Sequence, residues 1–534
     1  MILVLVLFTA LLTAFLNRAS REGTLQNRVL SYVINKFLQL GYPIRSTDGG
    51  TTIPTCPYVY PNGQGNVGKF LNGEILGQKW RTEYGPIYRI WSGFTPEIVV
   101  SRPEDIQAVF RDSNMHLKGV NMNSGWLVGE LLGKCLGLLN QNDWTRAKAA
   151  VIEPFHQQTA PNYIQLTEAR VKRYIQRIEN EKGQGGSMIL EPAENLMFLP
   201  FWILGDILYG GLDELMERQL DELQKLRHEL WKDSIAGGLA RYSIGRFIPG
   251  ARLRNLIRFK ALWKDFNDQA YERAKALALP DAPPIVKMYG EIETGQISKL
   301  EFLHTMDEIL FANLDVTIGN LSWNPVFLAA YPSVQKEIRQ EIRQLREDQD
   351  DDEWKAYLSG TNTMLMASIL ETARLKPMAS FSIPQAAPTQ RVVGDYVIPA
   401  GTQFVVDTHG LNIGDANWGA DRGEYHPRRF LGQNAVTWRY RFWRYGFGPR
   451  QCLGKHVADI MLKTIVAYLI ENFQLAPLGK EGHDLGDWQK KPEIWISLAI
   501  QPIIPTKLKA QPGPNPQVGW GFGPGLGPTD GLWA

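Results

Sequence analysis

Uncharged positions run without a break from Ile2 to Leu16, ILVLVLFTALLTAFL. As a helix at about 1.5 Å per residue this stretch spans roughly 22 Å, short of a bilayer core of about 30 Å. The positive charges Arg18 and Arg21 follow the run instead of preceding it. A signal peptide carries them first, so residues 1–17 read as an uncleaved membrane anchor that leaves the rest of the chain on the cytosolic side. Val29, Leu30, Val33, Ile34, Phe37 and Leu38 then recur at helical spacing up to Gly41 and Pro43. That amphipathic helix suits a membrane surface and a protein core equally.

Further along, YRIWSGFTPEIVV alternates as a β-hairpin and leads into a helix capped near Ser101, with Pro103 in its first turn. Most of the chain beyond this helix has helical periodicity. One helix comes after Asn142-Asp143 and contains Trp144, and a long apolar one opens near Ser298 and runs through Ile309 and Phe311. Ser333 to Leu345 sets Glu against Lys and Arg at helical intervals. Strand patterns return at Val392 to Val406 around Gly-Asp and Pro-Ala-Gly turns. The expected fold is mainly α with a small β portion.

Length alone, 534 residues, suggests three or four domains. No repeat or linker divides the body, so residues 18–505 read as one unit. Gln511 to Ala534 holds seven Gly and five Pro, and residues 506–534 read as a disordered tail. Lys and Arg number 57 against 55 Asp and Glu, a net charge of +2, which excludes a bulk nucleic-acid binder. Three cysteines, Cys56, Cys135 and Cys452, fit a reducing compartment better than a disulfide scaffold.

Chemistry concentrates at Tyr445 to Gly454, YGFGPRQCLG, followed by an apolar helix with Val457, Met461, Ile465 and Tyr468 on successive turns. A glycine-rich loop thus delivers Cys452 to a helix N-terminus, where unpaired N–H groups and the helix dipole favour a thiolate and lower its pKa. Gly448 and Gly454 allow close approach of backbone to a flat ligand, and Arg450 offers a fork for a carboxylate. Cys56 and Cys135 lack such surroundings and read as inert buried thiols.

This segment resembles the haem-binding signature of the cytochrome P450 family, in which the cysteine thiolate is the axial iron ligand. The resemblance covers about residues 40–505 and implies the P450 fold and a haem b cofactor. It makes Phe447, Arg450 and Gly454 haem contacts and Cys452 the metal ligand. Three other segments match in order. Glu371 and Arg374 in ETARLKP resemble the family's Glu-x-x-Arg pair, which an arginine of a later loop joins, here Arg429 in YHPRRF. Arg428 stands where the family usually has Glu. Trp144 and Lys148 resemble the aromatic residue and base that face the haem propionates.

The central helix departs from the family. The pattern Ala/Gly-Gly-x-Asp/Glu-Thr, which delivers protons to bound dioxygen, appears here as Ala312-Asn313-Leu314-Asp315-Val316-Thr317. Valine neither donates nor accepts a hydrogen bond. Thr317 comes one residue late, about 100° around the helix, unless a π-type bulge shifts it. Asp315 with water, the Asn313 amide, Thr317 or a polar substrate must carry the proton. Asn320-Leu321-Ser322, on the same helix, reads as a coincidental sequon. By resemblance, Asn121 to Leu127 and Ser380 to Ile383 face the substrate.

Three functions compete. A monooxygenase would take electrons from NADPH through a separate NADPH-cytochrome P450 reductase, since the chain carries no flavin or nicotinamide fingerprint. A haem-thiolate isomerase or dehydratase would need neither dioxygen nor reductase, and Val316 is its best support. A haem sensor would not turn over. Asp315 and the anchor, which places the chain beside a reductase at the endoplasmic reticulum membrane, favour the first. The chain is similar to fungal members that tailor secondary metabolites, and ANLDVTIGN is most like those associated with modified cyclic dipeptides.

Overall fold

The computed structural model describes residue 15, residues 18–19, 21–65, 67–180, 188–347, 350–477 and 508–512. The expected anchor therefore lies outside the described residues apart from Phe15, and among the described residues no helix is long and apolar enough to cross a membrane.

Helix α1 spans Leu25–Gly41, with the Thr24 hydroxyl accepting the Asn27 N–H at 3.1 Å. It has two apolar faces. Leu38 and Ile34 pack against Tyr58 and Trp91, whereas Val29, Val33, Phe37 and Leu40 are exposed. Both readings of its periodicity are thus realised on opposite sides.

A short strand, β1 (Arg45–Ser46), precedes helix α2 (Gly73–Tyr84) and the expected hairpin, β2 (Ile87–Ser92) with β3 (Thr95–Val100). The hairpin registers from Ile87 opposite Val100 to Ser92 opposite Thr95, turning at Gly93 with φ of 60°. A Cβ at Gly93 would also come within 2.8 Å of the Arg241 guanidinium, so glycine is required there twice over. The next helix begins at Pro103 and is capped at Arg102, not Ser101. The Ser101 hydroxyl instead donates to the Pro86 carbonyl at 3.3 Å and ties the strand ends together.

Next in the chain come β4 (Leu117–Lys118), α3 (Trp126–Leu132), α4 (Gln141–Val151), α5 (Ile164–Asn180) and β5 (Met188–Leu190). Helix α4 starts one residue before Asn142. Two long helices, α6 (Glu214–Ala236) and α7 (Ala251–Ala276), pack on each other and precede α8 (Lys299–Leu310) and α9 (Ala312–Ala330). Ser298 opens α8 with a capping box: its hydroxyl accepts the Glu301 N–H and Glu301 accepts the Ser298 N–H. Phe311 interrupts the path between α8 and α9, its ring seated on Phe201, Phe259 and Trp263 at 5.7, 5.9 and 5.1 Å between centroids.

Helices α10 (Pro332–Glu347) and α11 (Met364–Leu375) lead to β6 (Gln385–Ala386), β7 (Arg391–Val393), β8 (Tyr396–Ile398) and β9 (Gln403–Val406). The main sheet runs β2-β3-β9-β6-β4, with β3 and β9 parallel, and β1-β8-β7 forms a second sheet. Helix α12 (Lys455–Asn472) buries Val457, Met461, Ile465 and Tyr468 in the main core, the face its spacing indicates. Asn320 and Ser322 are buried within α9, so the sequon is inaccessible.

The C-terminal segment differs from expectation in one respect. Strand β10 (Phe473–Pro477) pairs with β11 (Leu508–Pro512), which pairs with β5. Five residues assigned to the tail are therefore in a sheet, and the rest of the tail lies outside the described residues. Backbone pairing orders β11 because its partners supply the hydrogen bonds that its own composition does not indicate.

Candidate active site

The loop before α12 turns through Gly446 and Gly448, with φ of 86° and 69°. The Cys452 N–H donates to the Tyr445 carbonyl at 2.9 Å, closing the loop on itself. A Cβ at Gly448 would lie 1.9 Å from the Ser113 hydroxyl, whereas one at Gly454 would meet open space. The loop is thus tightly seated on one side and leaves room on the side where Cys452 emerges.

Cys452 is accessible to a small molecule. Its thiol is nevertheless pushed up to about 11, first by desolvation among the surrounding protein atoms, against a smaller opposing effect of the Gly454 N–H. The Cys452 sulfur is thus reachable from outside and yet closely surrounded by protein atoms. The shift runs opposite to that expected at a helix N-terminus, because desolvation outweighs the Gly454 N–H and the more distant Lys455.

Two groups at this loop are cations. Arg450 donates to the carbonyls of Gly137 and Leu139 at 3.3 and 2.8 Å, and its guanidinium lies 4.4 Å from the Trp144 ring centroid. The Lys148 ammonium sits 4.8 Å from the same ring. The structure therefore brings together the Arg450–Cys452 loop and the helix of Trp144 and Lys148, two segments singled out separately. Lys118, which was not singled out, joins them. Burial pushes it down to about 7, and repulsion from Arg450 adds to the effect. Desolvation also lowers Arg450, to about 10. Two mutually repelling, desolvated cations beside a thiol are the donor set that a dianionic, thiolate-ligated group such as haem would satisfy.

The loop is held from behind. Glu371 and Arg374 are fully buried and joined by two hydrogen bonds of 2.8 Å, and Arg429 reaches the same carboxylate at 3.1 Å. Arg374 also donates to the carbonyls of Asn412 and Arg422 at 3.0 and 2.7 Å. Arg428 turns outward to Glu337 of α10 at 2.7 Å, so the residue that departs from the family pattern leaves the buried triad intact. Phe447 is buried against Trp443, Tyr440 and Phe110, at 4.9, 5.4 and 6.0 Å between ring centroids.

Other expected site residues are placed differently. Helix α9 is α-helical from Ala312 to Ala330 without a π turn, with Pro325 inside it, and Thr317 is buried in it. The side chains of Asn313 and Asp315 lie outside what is described. Phe381 packs on Trp80 of α2, and Ser382 accepts the Val406 N–H, so both serve the sheet side. Asn121, Met122 and Asn123 hold left-handed φ of 51°, 58° and 55°, a strained run at the expected substrate loop.

A family model for cytochrome P450 matches residues 64–495. The chain belongs to the cytochrome P450 family. It is 43% identical over 463 residues to the cytochrome P450 monooxygenase aclC of Aspergillus oryzae, covering 87% of this chain and 93% of that one. Identity with asaD of Aspergillus flavus is 42% over 471 residues, covering 88% and 90%, and with gliC of Aspergillus fumigatus 40% over 453 residues, covering 84% and 88%. Both carry the same description. This P450 is a haem-dependent monooxygenase that draws electrons from a redox partner and oxidises a small-molecule substrate. The isomerase reading is not favoured.

Proposed function

We propose that this P450 tailors a fungal secondary metabolite, a modified cyclic dipeptide or a similarly functionalised small molecule, with electrons passed from NADPH by NADPH-cytochrome P450 reductase. The observation that supports the site assignment is the accessible Cys452 sulfur two residues from Arg450, whose guanidinium lies on the Trp144 ring and repels the buried Lys118. Cys452 would hold the haem iron through its thiolate, and Arg450 and Lys118 would hold the propionates, with Trp144 packed against the guanidinium and Lys148 on the same ring. Glu371, Arg374 and Arg429 keep the loop in register. The bound haem iron supplies the activation of dioxygen. Asp315 exchanges protons with water, since Val316 carries no hydroxyl, and an N–H or O–H of the substrate completes the relay.

The chain also docks on the endoplasmic reticulum membrane through residues 1–17, with the catalytic unit on the cytosolic side. Supporting this, the exposed Val29, Val33, Phe37 and Leu40 of α1 lie near a second exposed apolar set, Leu239, Ile244 and Phe247. Both border residues 58–62: Asn27 and Ser31 bond the backbone of Tyr60, and Asn62 bonds the backbone of Ala236 and Gly238.

The test is NADPH oxidation against product and peroxide, with purified reductase and the substrate identified by metabolite comparison of a gene disruption. Product formation should require reductase and dioxygen. Turnover without either would restore the isomerase reading.

A further inference from the structure

Buried polar atoms normally find hydrogen-bond partners, and in the seam between α9 and α11 two do not. Asn320 and Asn324 stand one helical turn apart on α9 and are 1% and 0% exposed. The Asn320 amide donates to the Ile369 carbonyl of α11 at 3.4 Å. The Asn324 amide donates to the hydroxyls of Ser368 and Thr372 at 2.9 and 3.0 Å. Neither amide can be turned over. A carbonyl has no proton to offer Asn320, and the Thr372 hydroxyl has already given its own to the Ser368 carbonyl at 2.9 Å, so towards Asn324 it can only accept. Asn320 Oδ1 and Asn324 Oδ1 therefore point away from these partners, and both are buried without a donor.

The same stretch of helix adds a third acceptor. Pro325 lies inside α9 and carries no N–H, so the carbonyl of the fully buried Leu321 loses its usual helical donor. A cluster rich in acceptors and short of donors calls for O–H groups. There is room for one. Gly319, beside Asn320, is buried, yet among the described residues a Cβ built on it would meet only Met378 Cα, at 3.9 Å. A space of that size admits a water molecule. Hydrogen bonds of about 2.8 Å on either side let one molecule reach side chains on neighbouring turns. A metal cation fits less well, because the Lys376 ammonium already lies 4.5 Å from the ring of Trp323, between the two asparagines in sequence.

We propose that the seam between α9 and α11 is a binding site for ordered water, whose O–H groups donate to Asn320 Oδ1 and Asn324 Oδ1. The site lies apart from the Cys452 loop and is independent of the haem assignment.

The experiment is a high-resolution crystal structure of the haem-loaded full chain, grown from a solution containing rubidium. Ordered water should appear within about 3.2 Å of both amide oxygens, without an anomalous rubidium signal. An empty seam, protein donors on those oxygens, or rubidium in place of water would overturn the proposal. Chemical denaturation of Asn320→Leu supplies a second readout in solution. If water satisfies Asn320 Oδ1, the apolar side chain forfeits those hydrogen bonds and the midpoint should fall. If the oxygen is unsatisfied, its removal relieves a buried polar atom, and an unchanged or raised midpoint would contradict the water site. The wild-type crystal decides the matter even where the variant fails to fold.

Discussion

At Cys452 two effects oppose each other: the Gly454 N–H favours the thiolate, and burial favours the thiol by a larger margin. The same burial makes Lys118 a poor cation until an anion arrives. Lys118→Met and Arg450→Met should each speed haem transfer to apomyoglobin about tenfold, roughly 1.4 kcal/mol per site, by removing a propionate partner. Unchanged transfer would remove that residue from the site. Cys452, Arg450, Trp144 and Lys148 were legible because each sits in a short motif of fixed spacing. Lys118 was not. It arrives through its pairing with Gln385 across β4 and β6, which leaves no local pattern.

Elements divide the labour between holding and tuning. Glu371→Ala in α11 would leave Arg374 and Arg429 buried without their carboxylate, a loss of about 3–5 kcal/mol that should appear as failure to accumulate haem-loaded protein. Arg428→Ala breaks only the exposed pair with Glu337 and should change stability by less than about 1 kcal/mol in chemical denaturation. In α8, burial holds His304 down to about 4 from 6.5, and its ring nitrogen accepts the Lys134 N–H at 3.0 Å. Between those values the unfolded chain takes up a proton that the folded chain refuses. This contribution is complete above pH 6.5 and is lost as pH falls towards 4. His304→Gln should flatten that part of the stability profile, worth about 3 kcal/mol. In α9, Val316→Thr should leave product formation largely intact and Asp315→Asn should slow it sharply. With the helix regular around it, Thr317→Val should not raise peroxide release. The hairpin, the start of α8 at Ser298 and the buried face of α12 followed directly from periodicity and cap chemistry. The break at Phe311 did not, because it answers to three aromatic rings from distant segments.

Over the whole molecule, the largest core among the described residues draws on side chains from Trp126 to Leu475. Deleting residues 1–17 should release the protein from membranes partly or wholly without altering the haem spectrum, and a loss of haem would make the segment structural. The exposed side of α1 would account for any residual binding. The iron ligand is the point on which the whole active site depends. In the dithionite-reduced, carbon monoxide-bound full chain, the wild type should show the strongly red-shifted Soret band of thiolate-ligated haem, and Cys452→Ser should abolish it while Cys135→Ser leaves it in place. Retention of that band in Cys452→Ser would contradict the assignment of Cys452 and the active site built around it.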